Sequence, residues 1–160
     1  MSTLEDRLRH LKIILPEAPA PVASYVPAVQ SGSLLFVSGQ VPFKNGEVLA
    51  RGPVPSVVSA EDAKAAARQC AVNGLAVAKA ALGGDLERVT RVVRLGVFVQ
   101  SDDRFDGQPM VANGASDLMV DVFGERGTHA RAAVGVNALP LDVSVEIEFV
   151  FEVRACTASG

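Results

Sequence analysis

The chemically richest part of the chain is the segment from Arg131 to Glu148, which combines an arginine with Glu146 and Glu148. A guanidinium group binds a carboxylate through two parallel hydrogen bonds. A glutamate close to the bound molecule could orient or deprotonate a water molecule. Ala133 and Gly135 lie between these groups and leave room above a sheet. The segment therefore predicts a site for a small molecule that carries a carboxylate.

The glutamates belong to a strand in which apolar and polar residues alternate strictly. Residues 143, 145, 147, 149, 151 and 153 are apolar, whereas Ser144, Glu146, Glu148 and Glu152 take the positions between them. Side chains at alternate positions of a strand point to opposite faces of the sheet. The apolar face should meet the helices, so the acidic face should point away from them.

The preceding strand, 130–138, places Arg131, Ala133 and Gly135 on one face. If residues 139–142 form a hairpin loop, Arg131 lies opposite Val150 and the polar faces of the two strands coincide. This register predicts that Arg131 and Glu146 share one surface. An alternative stays open, in which Arg131 and the glutamates form a solvated ladder of cross-strand ion pairs.

The remaining strands of the predicted sheet come from short apolar runs separated by turn residues. Asn45-Gly46 is the strongest turn signal, because both residues tolerate positive φ. The predicted strands are 26–29, 34–37, 41–43, 47–49 and 89–100.

Two main helices are predicted between these strands. The first begins after Ser59 and ends at Gly83-Gly84, and the second covers about 108–123 with Asp106 as its expected cap. Cys70 lies in a stripe of small residues on the first helix and is expected to be a buried small hydrophobe. The order of elements predicts an α+β single domain, with one mixed β-sheet and the two main helices packed on one face.

Composition excludes several classes of protein. The 160 residues carry a net charge of −3, which argues against a nucleic-acid surface. No stretch has the ~18 apolar residues of a membrane span. The two cysteines, Cys70 and Cys156, form no spaced motif, so a disulfide scaffold or a metal site is not expected. The absence of a targeting signal favours the cytoplasm.

The N-terminus is predicted to form a separate segment. Thr3 followed by Asp6 is typical of a helix start, and leucines then recur at helical spacing up to Leu11. A proline-rich stretch from Pro16 to Pro27 predicts an extended arm. The expected division is a helix and arm at 1–21, a main domain at 22–154 and a tail at 155–160.

Residues 129–148, HARAAVGVNALPLDVSVEIE, resemble the signature of the RidA family, also called YjgF. The shared features are an arginine, alternating apolar residues, a leucine-proline turn and an apolar-Glu-Ile-Glu strand. Upstream, Tyr25 resembles an early family tyrosine, and Ser38-Gly39-Gln40 resembles a family Ser-Gly-Gln step. Asn113 corresponds to a family asparagine. The sequence departs from the family where Ala133 replaces a frequent cysteine and His129 replaces a usual proline.

The resemblance implies a chorismate-mutase-like fold and a homotrimer with ligand clefts between subunits. It also implies hydrolysis of reactive 2-imino acids or enamines to 2-oxo acids and ammonia, without a metal or cofactor. Arg131 would bind the substrate carboxylate and Glu146 would position the attacking water. The substrate-binding residues would be Tyr25, Ser38, Gly39, Asn113 and Ala133.

Two other functions remain open at this point. The same homotrimer could bind a small carboxylate without turning it over, or it could protect other proteins through its surface. Ribonuclease activity, sometimes attached to the family, is disfavoured by the acidic charge and by the low aromatic content of 5%. His10 is expected to be solvated, whereas His129 is expected either at an interface or, less favourably, as a proton carrier.

Overall fold

The structure of the protein is a computed structural model that describes residues 2–20 and 24–155. Its α-helices are α1 Leu4–His10, α2 Ala60–Ala81 and α3 Gln108–Phe123. Its strands are β1 Ala28–Ser31, β2 Leu34–Gln40, β3 Phe43–Lys44, β4 Glu47–Val48, β5 Val89–Gln100, β6 Ala130–Val136 and β7 Val145–Val153.

Five strands form one sheet in the order β1-β2-β7-β5-β6, and β3 with β4 forms a separate hairpin. Neighbours in the large sheet are antiparallel except β5 and β6, which are parallel. The helices α2 and α3 pack against each other and against one face of this sheet. The predicted α+β fold is therefore confirmed, with its mixed sheet and two main helices on one face.

The core lies between β7 and the two main helices. Ile147, Phe149 and Phe151 are buried, as the alternation of the strand predicts. Gly74 lets α2 approach the sheet, because a Cβ atom at this position would lie 2.6 Å from the ring of Phe149. Cys70 is also fully buried on this helix. Burial raises the pKa of the Cys70 thiol, so the side chain acts as a small hydrophobe, as expected.

The predicted hairpin between the last two strands is wrong. Strand β5 lies between β6 and β7, and Arg131 pairs with Leu95 rather than with Val150. The physical reason is the β5-α3-β6 unit, since a helical crossover returns the chain parallel to the strand that it left. The chain between β6 and β7 then crosses to the other side of β5. Leu141 and Asp142 have positive φ values of 59° and 58° in this connection.

The ends of the main helices follow local signals with one exception. Ser59 caps α2 by accepting a hydrogen bond from the amide of Asp62, as predicted. The expected cap of α3 by Asp106 is wrong, because Gly107 occupies the cap position and no side chain caps the helix there.

The N-terminal helix packs on the domain. Thr3 and Asp6 form the predicted capping box, and Leu4 and Leu8 are buried. Arg7 Nη1 donates to the carbonyl of Val122 on α3 at 3.3 Å. Two predicted features fall outside the described residues, namely the boundary between residues 21 and 22, and residues 156–160 of the tail.

Candidate functional site

Arg131 lies on the edge strand β6 and points towards α3. It pairs with Leu95, which is buried under the helices, so its side chain lies on the helix face of the sheet. Its Nη1 donates to Asn113 Oδ1 at 2.8 Å and to Ser116 Oγ at 3.1 Å. Asn113 and Ser116 are three residues apart on α3 and therefore share one side of that helix. The helix and the edge strand together fix one end of the guanidinium group.

The hydrogen bonds leave part of the guanidinium group available. Both hydrogens of Nη1 have acceptors, whereas Nη2 and Nε have no hydrogen bond or carboxylate partner among the described residues. These two nitrogens present parallel N–H groups, the arrangement that binds a carboxylate in a bidentate manner. Arg131 is exposed, so a ligand can approach it.

His129, immediately before β6, extends this cluster. Its Nε2 lies 2.9 Å from Ser116 Oγ, and its Nδ1 lies 2.6 Å from the carbonyl oxygen of Gly127. Ala133 follows two residues after Arg131 and packs against the core from the same face. The structure therefore brings together Arg131, Asn113 and Ala133, three of the predicted site residues.

Glu146 lies on the opposite face of the sheet. Its neighbours Val145 and Ile147 are buried under the helices, so Glu146 points away from them. Partial burial, and secondarily the nearby charge of Glu148, raises the pKa of the Glu146 carboxyl. A carboxylate with a raised pKa holds a proton more tightly and is a better general base.

Gly39 makes room for this carboxylate. A Cβ atom at position 39 would lie 2.1 Å from Glu146 Oε1, so any larger residue here would force the carboxylate out of this position. The register shift in β2 between Val37 and Gln40 includes Gly39 and its neighbour Ser38. Ser38 Oγ donates to the carbonyl of Val26 at 2.8 Å. This contact ties the Ser-Gly step to the segment that carries Tyr25, which is exposed.

The predicted common surface for Arg131 and Glu146 is therefore wrong within one chain. Arg131 follows the helix face, whereas Glu146 pairs with Phe98 on the open face. The alternative ion-pair ladder is wrong as well, because Arg131 lies on the other face. Among residues 2–20 and 24–155, Glu148 instead pairs with Arg94, whose Nη1 lies 3.0 Å from Glu148 Oε1. The predicted residues form two groups, an Arg131 group with Asn113 and Ala133 and a Glu146 group with Ser38 and Gly39.

The open face of the sheet is not purely polar. Besides Glu146 and Glu148 it carries Phe36 and Val134, each 45% exposed. Phe36 pairs with Val150, which adds to the same apolar area. Exposed aromatic and branched residues on one face are typical of surfaces that become buried on association.

A groove of about 1020 Å³ lies beside the Ser-Gly step. It lies between the N-terminal arm, the β3-β4 hairpin and α2, and its lining residues include Tyr25, Ser38 and Gly39. Arg131 and Glu146 do not line it. The groove therefore borders the Glu146 group without containing either residue expected to act on substrate.

Two further properties concern residues 2–20 and 24–155 only. No cluster of three or more histidine, cysteine, aspartate or glutamate side chains there has the geometry to bind a metal ion. No helix in that part of the chain is both long enough and apolar enough to cross a bilayer.

Ser116 was not among the predicted site residues, and His129 was expected at an interface rather than beside Arg131. The sequence does contain a signal for Ser116, because this residue follows Asn113 by three positions on a predicted helix. The two side chains must therefore lie on the same side of that helix. The link to His129 has no such signal, since it depends on how α3 packs beside β6.

Comparisons with known proteins relate the chain to a broad family. The family model described as "YjgF/chorismate mutase-like, putative endoribonuclease" matches residues 5–153. The Protein TCP17 of Trypanosoma cruzi is 47% identical over 148 residues, which are 92% of this chain and 92% of that protein. The 2-iminobutanoate/2-iminopropanoate deaminase of Salmonella typhimurium is 33% identical over 142 residues, which are 86% of this chain and 94% of the deaminase.

Solved structures agree with the family model and confirm the predicted chorismate-mutase-like fold. The protein Atu1372 of Agrobacterium tumefaciens, described as having unknown function, superimposes with a TM-score of 0.88 and 46% identity. The superposition covers 96% of this chain and 93% of that one.

Proposed function

Because the chain belongs to the RidA/YjgF family, we propose that it hydrolyses reactive 2-imino acids, or their enamine tautomers, to 2-oxo acids and ammonia. The observation that carries the proposal is the pair of complementary groups, an arginine with free donors and a glutamate whose pKa is raised. The imine deaminase of Salmonella typhimurium, at 33% identity, supports the reaction class. We expect the protein to act in the cytoplasm and without a metal or cofactor.

Arg131 is the proposed anchor for the substrate carboxylate. Nη2 and Nε form the bidentate contact while Nη1 stays bound to Asn113 and Ser116. A guanidinium group only donates, so the amide atom of Asn113 that faces it is the oxygen. The Nδ2 group of Asn113 is then available to a second oxygen atom of the ligand. Ala133, beside Arg131, leaves space for the substrate.

Glu146 is the proposed positioning group for water. The water oxygen attacks the carbon of the protonated imine, one water proton passes to Glu146, and the nitrogen becomes the neutral amine of a carbinolamine. Glu146 then returns this proton to the nitrogen, and the C–N bond breaks to release ammonia. The hydroxyl proton passes to Glu146 and on to solvent as the hydroxyl becomes the carbonyl of the 2-oxo acid. The other members of this group, Ser38 and Gly39, would line the cleft with Tyr25.

A complete site requires residues from two chains under this proposal. Arg131 and Glu146 lie on opposite faces of one sheet, so the two residues of one chain cannot contact the same substrate molecule. In the homotrimer that the family resemblance implies, the Arg131 group of one subunit would face the Glu146 group of its neighbour. Closed cyclic symmetry would then form three equal clefts and bury the apolar area around Phe36 and Val134.

A second candidate is binding of a small carboxylate without catalysis. It is favoured by the Arg131 group, which offers a bidentate contact independently of Glu146. The same homotrimer could also act on other proteins through its surface. Ribonuclease activity, which the family description mentions, is disfavoured by the net charge of −3.

The direct test is hydrolysis of freshly formed imines. A dehydratase or amino-acid oxidase generates 2-iminobutanoate or 2-iminopropanoate in the cuvette, and loss of the imine is followed with and without the protein. Acceleration in proportion to the protein concentration supports the hydrolase. Saturable binding of 2-oxobutanoate by calorimetry without acceleration supports the binding protein, and the absence of both rejects both candidates.

A further inference from the structure

A continuous hydrogen-bonded chain joins Arg131 to Ser116, Ser116 to His129 and His129 to the carbonyl of Gly127. We propose that Ser116 and His129 are positioning residues, which hold the Arg131 guanidinium in the orientation that binds the substrate carboxylate. This inference rests on the proposed function, because it assigns a task to residues behind the carboxylate anchor. His129 stands where the family resemblance expects a proline.

With the His129 ring neutral, chemistry determines the direction of each hydrogen bond in this chain. The Gly127 carbonyl can only accept, so Nδ1 of His129 carries a hydrogen. In the neutral ring Nε2 is then an acceptor, and the Ser116 hydroxyl donates to it at 2.9 Å. The single hydroxyl hydrogen of Ser116 is thereby used, so its oxygen accepts from Arg131 Nη1 at 3.1 Å. The three contacts are mutually consistent and all point the same way.

This chain determines which edge of the guanidinium group faces a ligand. Without a fixed acceptor at Ser116, rotation about the side-chain bonds could turn Nη1 outwards and change the paired donors. With Asn113 and Ser116 both engaged, Nη2 and Nε are the only pair left for a carboxylate. A supporting group that locks an anchor in its productive geometry reduces the ordering cost of binding.

Four variants test the proposal through affinity. Ser116→Ala removes the hydroxyl oxygen that accepts from Arg131 Nη1. His129→Asn places an amide near the position of Nδ1, which faces the Gly127 carbonyl, but it removes the contact between Nε2 and Ser116. Each should raise KM for the imine, and Kd for 2-oxobutanoate, by roughly tenfold with kcat nearly unchanged. Ser116→Thr retains the hydroxyl, and His129→Gln retains an acceptor at the position of Nε2. Both variants should therefore have KM and Kd values close to those of the parent.

The double variant Ser116→Ala/His129→Asn shows whether the two residues act as one unit. Residues in one hydrogen-bonded chain are not additive, so the double variant should lose roughly tenfold rather than a hundredfold. His10→Asn is the matched control, because His10 is an exposed histidine on α1, and it should change nothing. Equal KM for Ser116→Ala and the parent overturns the proposal. A collapse of kcat at constant KM also overturns it, because Ser116 would then take part in the chemistry.

A spectroscopic readout separates failure of this inference from failure of the proposed function. Nitrogen-15 NMR of the histidine rings should show the Nδ1–H form for His129, and the Nε2–H form would contradict the hydrogen-bond directions. The Arg131 side chain should give resolved Nη signals in the parent that merge in Ser116→Ala but not in His10→Asn. If the parent neither binds nor hydrolyses, the proposed function fails, while these signals still decide whether Ser116 fixes the guanidinium group.

Discussion

The Arg131 group and the Glu146 group differ in how the fold builds them. Arg131 is held by side chains, through hydrogen bonds to Asn113 and Ser116 on an adjacent helix. Glu146 is accommodated by the absence of a side chain, since Gly39 leaves the space that its carboxylate occupies. The first arrangement fixes direction, as recognition of a planar carboxylate requires. The second limits solvation, as a base with a raised pKa requires.

Under the proposed function, this difference means that substrate recognition and chemistry are divided between the two faces of one sheet. A single chain displays both groups but cannot bring them together, because Arg131 and Glu146 lie on opposite faces of the sheet. If both residues act on one substrate, as proposed, the protein can be an enzyme only as an assembly of chains.

The largest expected effect is on turnover in Glu146→Gln. The amide keeps the size of the side chain but cannot take a proton from water, so kcat should fall about 10²–10⁴-fold. Binding of 2-oxobutanoate should survive, because Arg131 is untouched. Glu61→Gln at the exposed start of α2 is the matched control and should retain parental kinetics. Hydrolysis by Glu146→Gln at the parental rate would remove Glu146 from the mechanism.

The next largest effect is expected on stability, and it tests which side chains of β7 face the helices. Phe151 is buried, whereas the neighbouring Glu152 is exposed. Phe151→Ser should cost on the order of 3–5 kcal/mol of unfolding free energy, because it leaves a cavity in the core. Glu152→Ser should cost much less. Urea denaturation of both variants measures the difference, and equal stabilities would mean that the faces of β7 are reversed.

Arg131→Lys should reduce recognition without harming the fold. An ammonium group keeps the charge but cannot form the paired contact to a carboxylate. The expected loss in kcat/KM is roughly 10–100-fold, and Arg131→Ala should lose more. Arg9→Lys is the control, since it retains a charge next to Asp6 on the exposed side of α1. Full activity of Arg131→Lys would exclude bidentate binding.

The smallest expected effect is the pH dependence that Glu146 gives to stability. The pKa of Glu146 is raised above 4.5 in the folded protein, so the folded state binds this proton more tightly than the unfolded state. Stability should therefore fall as the pH rises from 4.5 through the raised pKa. Glu146→Gln should melt at a higher temperature than the parent near pH 7, and the difference should vanish below pH 4.5. A parent that is the more stable protein near pH 7 would contradict the assigned direction of the pKa shift.

Local signals predicted most of the elements. The bounds expected for β5 and α3 agree with Val89–Gln100 and Gln108–Phe123, and Ser59 caps α2 as its position indicates. These features depend on neighbouring residues, on alternation and on helical periodicity. Which strands become neighbours in the sheet does not depend on these local features, because a β5-α3-β6 crossover and a β6-β7 hairpin are both compatible with the same alternation.

The site was predictable only in part for the same reason. The residue types of Arg131 and Glu146 indicated carboxylate binding and water activation, and the family resemblance added Asn113 and Gly39. Their division between two faces follows from strand order, which local patterns leave open. The contact between Ser116 and His129 depends on how α3 packs beside β6, so it required the structure.

The central claim is that Arg131 and Glu146 act on one substrate from different chains. Its most direct test mixes Arg131→Ala with Glu146→Gln in equal amounts, co-refolded or co-expressed with different tags so that native mass spectrometry can verify mixed trimers. Each variant alone should be inactive, whereas random mixing should restore about a quarter of the parental hydrolysis, since a cleft needs one intact residue from each neighbour. Verified mixed trimers that remain inactive would contradict the shared site.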